Sequence, residues 1–304
     1  MGSNDAILKE LALKSVLFIV MLIIGLSDSA GHAQFRRKKP KNSMAEGAMY
    51  VYWGYNRSAY TLSNIAFKGP GYNFTLFGVQ AKDRPSLKLS EYFNPQTVTV
   101  PQFNFRVGYN FKNYWNLSLG YDHMKYVMVH GPSYGFSGFT EAGLNANEPL
   151  NGTYSSLQVT SEESTFHYEN TNGLNYIRLE LTRVRNIVKN RKDNFMLTLL
   201  GGVSGGTVLS FNDFTFNGQK YQATPSISGL GLSMHGALRF EFFKHLFFQL
   251  NTGGGFLYQT HVKLMPNTFE AFARQKFFYG DVSAVIGALF YIRTVNDCNS
   301  CPHW

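Results

Sequence analysis

Between Gln102 and Lys125 the chain reads QFNFRVGYNFKNYWNLSLGYDHMK, with apolar and polar residues alternating on both sides of a tight turn. Phe103, Phe105, Val107, Tyr109 and Phe111 interleave with Gln102, Asn104, Arg106, Gly108 and Asn110. After Lys112-Asn113, Trp115, Leu117, Leu119 and Tyr121 interleave with Asn116, Ser118, Gly120 and Asp122. Successive side chains of a strand point to opposite faces, so each segment has one apolar and one polar face. Each runs to about ten residues, the length that carries a tilted strand across a bilayer. A soluble sheet would need a second layer over that apolar face; a membrane strand turns it to lipid.

Six further segments follow the same rule: Ala48–Ser58, Leu174–Val184, Asn194–Ser204, Ser228–Glu241, Leu246–Tyr258 and Phe278–Tyr291. Their connections alternate in length. Lys112-Asn113-Tyr114, the basic stretch Arg185 to Asp193 and the Phe242 to His245 turn are short, whereas 59–101, 126–173, 205–227 and 259–277 are long. Bacterial outer-membrane barrels have even strand numbers, short periplasmic turns and longer extracellular loops. The expected fold is therefore all-β, an eight-stranded antiparallel transmembrane β-barrel with both termini in the periplasm. Within the long connections, NIAFKGPGYNFTLFGV (64–79) reads as a hairpin around Lys68-Gly69-Pro70-Gly71, and NTFEAFAR (267–274) as a capped helical turn.

The ends frame this barrel. Lys9 and Lys14 precede an apolar run, Ser15 to Leu26, and Gly31-His32-Ala33 supplies a small-x-small cleavage site, so 1–33 reads as a secretory signal peptide. The alternative, a membrane anchor, is short for a span. Residues 34–46 form a basic arm with Arg36, Arg37, Lys38, Lys39 and Lys41, expected in the periplasm beside anionic headgroups or simply solvated. The barrel is assigned to 47–292 and a periplasmic tail to 293–304. The net charge of +9 does not point to nucleic acid in an exported barrel. An aromatic fraction of 16% beside only 15% charged residues fits strands wetted on one face.

An eight-stranded barrel is just wide enough for side chains to fill it. By parity Arg106, Asp122, Arg178, Glu180, His235, Arg239 and Glu241 point inward, and both signs are present. They read as a mutually neutralising plug in which Arg178 and Arg239 pair with Glu180, Glu241 or Asp122; the alternative is a narrow ion path. His123 and Lys125 share the lipid-facing parity and are candidate contacts for lipopolysaccharide phosphates, or plain interfacial residues. Catalysis there would need a serine nucleophile within reach of a histidine base, and nearby Ser118 and Asp122 face the wrong way. Cys298 and Cys301 form a CxxC in the tail, a candidate disulfide in an exported chain. His303 and His245 could join them around a metal, but no metal or other cofactor is expected.

The signal peptide, eight alternating strands and short-turn, long-loop rhythm resemble small outer-membrane barrels of the OmpA and OmpW type over roughly 45–292. The segments WGYNRSAYT, PQFNFRVGY and DHMKYV resemble outer-membrane barrels of Bacteroidota-type bacteria. Such barrels commonly end on an aromatic assembly signal; Phe290 and Tyr291 fit it but a tail follows them, and Trp304 is the other candidate. The resemblance brings no catalytic residues with it. The expected role is a non-enzymatic scaffold in the outer membrane, a monomer or a subunit of an envelope complex, with partner-binding loops and contacts to outer-membrane lipids, lipopolysaccharide and envelope proteins. One alternative is an OmpW-like conduit for small apolar molecules, suggested by the aromatic loops Tyr72 to Val79 and Phe136 to Phe139. The other is an enzyme that modifies outer-leaflet lipid.

Overall fold

A computed structural model describes residues 43–291 except 87, 89, 95, 98, 99, 142–149, 165, 191–193 and 217. The expected signal peptide, the arm as far as residue 42, and the tail with Cys298 and Cys301 lie outside the described residues.

Eight antiparallel strands close into a ring. They are β1 (Ala48–Tyr60), β5 (Phe103–Lys112), β6 (Trp115–Met128), β9 (Phe166–Lys189), β10 (Phe195–Phe216), β11 (Gln219–Phe242), β12 (Leu246–Lys263) and β13 (Phe272–Tyr291), and β13 returns to β1. The closing seam runs in unbroken register from Ala48↔Tyr291 to Tyr60↔Tyr279. These are the eight strands that alternation picks out, and closure leaves no unpaired edge in the membrane. Outward residues such as Val107, Leu119, Leu179, Leu232 and Ile286 are exposed and apolar, and they form the lipid-facing band. Tyr109 and Phe103 with Tyr121, below and above on the outer face, supply aromatics toward its rims.

The turns at one end are short. Lys112 pairs with Trp115 across Asn113-Tyr114, and Phe242 pairs with Leu246 across three residues. Tyr114, Phe243 and Lys244 take positive φ, the price of such tight reversals. The basic stretch expected as a link is mostly strand, since β9 runs on to Lys189. Residues 43–47 fold beneath the ring. The Ser43 carbonyl accepts from Asn110 Nδ2 at 2.5 Å, and the Met44 carbonyl accepts from the Tyr114 amide. Met44 then packs against Val184, Leu200 and Ala237, giving this end an apolar floor.

At the other end the expected loops are largely sheet. β9, β10 and β11 continue well past the apolar band, and β10 meets β11 at Phe216↔Gln219, so the expected loop 205–227 is a hairpin. Register shifts at Val208/Leu209 and Asn212/Phe214 interrupt the parity, which is why alternation loses these strands. The expected hairpin forms as β2 (Ser63–Gly69) and β3 (Tyr72–Val79). Pro70 followed by Gly71 at φ 75° is what a type II turn requires. Two more strands, β7 (Ser133–Thr140) and β8 (Gly152–Thr160), extend the order β13-β2-β3-β7-β8, while the short β4 (Ala81–Lys82) pairs with β6. The capped helical turn expected at 267–274 is absent: Phe272 to Arg274 already belong to β13, paired with Lys68 to Ala66. Pairing on two sides wins over the local capping preference. The one described helical turn is Ser90–Phe93.

These strands enclose an aromatic core. Phe67, Phe74, Phe136, Phe166, Tyr168 and Phe214 are all at most 2% exposed and in mutual ring contact. Fully burying one such ring contributes on the order of 1.5–3 kcal/mol, so the assembly is a folded roof over the barrel.

Candidate functional site

The barrel interior is built by glycines facing large side chains. A Cβ on Gly120 would lie 2.5 Å from Arg106 Nε, and one on Gly108 would lie 2.2 Å from the Tyr50 ring. Those two glycines leave the volume into which Arg106 and Tyr50 fold. Arg106 is 0% exposed. It reaches Asp122 at 2.7 Å and Glu180 at 2.9 Å, while Arg178 Nε lies 3.0 Å from Asp122 and 2.8 Å from Glu180. Asn104 donates to Asp122 at 2.5 Å, Ser118 to Glu180 at 3.0 Å, and Arg178 Nη1 to Ser233 at 2.8 Å. Two cations and two anions thus form an interlocked square. Buried charges are tolerated when paired and hydrogen-bonded in this way.

Of the residues placed inside by parity, four therefore meet directly. His235 Nε2 lies 3.1 Å from Thr182 Oγ1. Arg239 does not pair with Glu241 as expected. Its Nε donates to Gln249 at 2.6 Å, and its guanidinium lies 4.3 Å from the Phe247 ring centre and 4.6 Å from that of Tyr50. Glu241 instead accepts from Thr198 at 3.2 Å. Aromatic faces were the missed partners: Tyr50 and Phe247 sit on the inner parity, but their apolar rings do not announce an arginine site. Asp281, absent from the expected plug, lines the same cavity as Arg106, Arg178, Glu180 and His235. That cavity measures about 10 Å³, room for one water.

His123 and Lys125 are not open to lipid, as parity implied; each is only 7% exposed. His123 stacks on Phe103 at 5.4 Å and its Nδ1 lies 2.8 Å from Asn175 Oδ1. A register shift between Met124 and Tyr126 falls at Lys125, where the charges of Arg84, Asp83, Glu91 and Glu169 gather. Asp83, Arg84 and Glu91, from the connection after β4, stand beside Lys125 where sequence left the spot bare.

The roof holds a second cluster. Ser161 Oγ lies 2.9 Å from His130 Nδ1, His130 Nε2 lies 2.8 Å from His167 Nδ1, and His167 Nε2 lies 3.0 Å from Glu169. Arg84 reaches the same carboxylate at 3.1 Å. One set of protons satisfies every link: hydroxyl to Nδ1, Nε2–H to Nδ1, and Nε2–H to carboxylate. His167 and Glu169 alternate with Phe166 and Tyr168, so the core takes one face of β9 and the cluster the other. Burial and the adjoining His167 ring hold His130 below the usual histidine value of 6.5. Burial would raise Glu169, but the hydrogen bond from His167 and the Arg84 charge outweigh it and hold the carboxyl below its usual 4.5. The order of groups is that of a nucleophile, base and orienting acid. Ser161 is nevertheless 1% exposed, closed to a substrate, so the chain of contacts acts as a clasp. The four residues are scattered over 130–169, and only the His-Tyr-Glu alternation hints at them. Among the described residues no cluster of His, Cys, Asp or Glu has the arrangement of a metal site.

No family model matches the chain, and no curated protein does. Among solved structures it is similar to the outer membrane protein OprG from Pseudomonas aeruginosa, at 10% identity and TM-score 0.39, over 82% of this chain and 98% of that one. The outer membrane protein AlkL overlaps at 10% identity and TM-score 0.36, over 88% and 100%. Neisserial surface protein A overlaps at 9% identity and TM-score 0.32, over 81% and 100%. The closed register of the eight strands carries the fold: the chain is an eight-stranded antiparallel transmembrane β-barrel.

Proposed function

We propose that this protein is a closed outer-membrane scaffold, oriented with its short turns in the periplasm, that displays the roof as a rigid interaction surface outside the cell. The observation that carries this reading is the filling of the bore at every level. Met44 and its neighbours form the floor, the Arg106–Asp122–Arg178–Glu180 square the middle, and the aromatic core the top. Of the stretches that suggested an apolar conduit, Tyr72, Phe74, Leu76, Val79 and Phe136 are packed inside that core at 0–3% exposure, while Phe77 and Phe139 are exposed at the surface. They line no passage. The strands also pass from the lipid band into the roof without a hinge, so the roof is held at a fixed attitude to the membrane. An interaction surface gains from such preorganisation.

Single-channel recording in planar bilayers and liposome swelling test the reading together with surface cross-linking in intact envelopes. A scaffold gives no steps, no swelling and cross-linked partners through the roof. Stable conductance, or uptake of small apolar solutes, would replace it with the transport reading.

A further inference from the structure

The outer wall of the roof carries a basic and aromatic patch directly above the lipid-facing band. On β13 the outward residues ascend in the order Phe278, Lys276, Arg274, Phe272. Phe278 is 60% exposed and belongs to the upper rim of the band. Lys276, the next outward residue, is exposed and lies opposite Tyr258 of β12. Two outward positions are about 6.6 Å apart along a strand. Lys276 therefore stands at headgroup height and Arg274 just beyond it.

Higher up, Phe272 is the centre of a ring of basic groups. It lies between Lys263 on β12 and Lys68 on β2 by register. The Arg274 guanidinium is 4.8 Å from its ring centre, and His261 stacks on it at 4.5 Å. Lys263 Nζ sits 4.5 Å from the ring centre of Phe269, which is 77% exposed. Among the described residues, no carboxylate forms an ion pair with Lys68, Lys263, Arg274 or Lys276. Arg274 Nε and Lys263 Nζ are occupied only by the carbonyls of Thr260 and Pro266, and His261 Nε2 is buried without a partner. Glu270 is the acidic residue of the same connection and is exposed beside Phe269. By contrast Arg57 and Arg84, also on the surface of the roof, each answer a carboxylate.

We infer that this patch binds the phosphorylated head of an outer-leaflet glycolipid, a lipopolysaccharide. Lys276 and Arg274 meet the phosphates nearest the acyl chains, Lys68 and Lys263 meet anionic groups on the sugars above, and the exposed Phe269 presents a flat apolar face to a sugar ring. Continuity with the lipid rim at Phe278 selects an embedded glycolipid over a soluble polyanion. The inference rests on the proposed orientation, with the roof outside the cell. It moves the expected lipid contact from His123 and Lys125 to the opposite side of the ring, where the cations have no carboxylate in an ion pair among the described residues.

The test uses the full chain in neutral phosphatidylcholine nanodiscs, titrated with purified lipopolysaccharide and with the same material after enzymatic dephosphorylation. Each cation near an anionic surface contributes roughly fivefold in affinity. The triple variant Lys68→Gln/Arg274→Gln/Lys276→Gln is expected to bind lipopolysaccharide on the order of a hundredfold more weakly. Dephosphorylation should weaken the parent to a similar extent. Lys112→Gln/Lys244→Gln, at the short-turn end, should bind as the parent does. Heat-modifiable gel migration reports that each variant is folded, and Arg274→Gln and Lys276→Gln alone give the same reading if the triple variant is not. Equal binding by parent and cation variants, or equal binding of dephosphorylated material, overturns the inference. So does a preference for a soluble sulfated polysaccharide over lipopolysaccharide. Conductance is recorded separately: a conducting barrel that still loses lipopolysaccharide in the triple variant sinks the closed-scaffold reading and leaves this one standing.

Discussion

His130 Nε2 and His167 Nδ1 approach to 2.8 Å, a distance that admits one proton between the two rings but not one on each nitrogen. Glu163 and Lys82 also act on His130, and Arg84 and Asp213 face the Glu169 end of the chain. His130 is held below 6.5 when folded. As pH falls through that value the unfolded chain takes up a proton that the folded one resists, so stability drops. Glu169 acts in the same sense lower down, because its folded value lies under 4.5. Amide protection factors, corrected for the intrinsic exchange rate, should therefore fall around 129–134 and 161–169 between pH 7.5 and pH 5.5, with those of the membrane strands unchanged. His130→Gln should remove most of that pH dependence. Protection factors that ignore pH would disprove the clasp.

Arg106→Met should be the most damaging single change in the bore. It leaves Asp122 and Glu180 sharing Arg178 alone, and breaking a buried pair in this way costs about 3–5 kcal/mol. Arg239→Met should cost less, roughly 1–2 kcal/mol, since the partners lost are two rings and Gln249. Urea unfolding in phospholipid vesicles, followed by tryptophan emission, ranks the two. The reverse order would mean that the square is not the principal tie.

Gly120→Val attacks the same square without touching a charge. A Cβ there already falls 2.5 Å from Arg106 Nε and 2.6 Å from its Cζ. The guanidinium has to leave its carboxylates, so the variant should approach the loss seen in Arg106→Met. A wild-type unfolding midpoint for Gly120→Val would show that the arginine has another place to go.

The lipid-crossing part of this fold was open to reading because lipid enforces one rule on every strand. Phe103 to Phe111 and Trp115 to Tyr121 have to keep their apolar residues on one side, and they do. Above the lipid the rule lapses. From Asp122 to Met128 every residue of β6 is buried on both faces, so no alternation marks it. The bulges in β10 hid its upper half in the same way. Parity placed Arg106, Asp122, Arg178 and Glu180 inside, but it could not say that Arg239 would settle between Tyr50 and Phe247. That choice depends on strands β1, β11 and β12 meeting in three dimensions. His123 and Lys125 were misread because nothing local announces that a distant connection will lie over them.

Phe74→Ala separates the two parts of the molecule. Phe74 touches Phe67, Tyr72, Phe136, Phe166 and Phe216 in the roof. Truncating a buried phenylalanine costs about 3–5 kcal/mol. Protease sensitivity should rise in 63–79 and 133–160 while the barrel keeps its heat-modifiable migration. Loss of that migration would mean that roof and barrel unfold as one unit.

The last strand serves two neighbours on the same side. Over Tyr279–Tyr291 β13 seals the ring against β1, and over Phe272–Gln275 it takes β2. Among the described residues β2, β3, β7 and β8 join the remaining sheet through β13 alone. Those four strands are synthesised early and pack rings against β9 and β10, but they have no strand edge outside their own group to pair with until the C-terminal strand arrives. Completion of the outward-facing body is thereby timed by barrel sealing, so an incompletely inserted chain cannot present its finished surface.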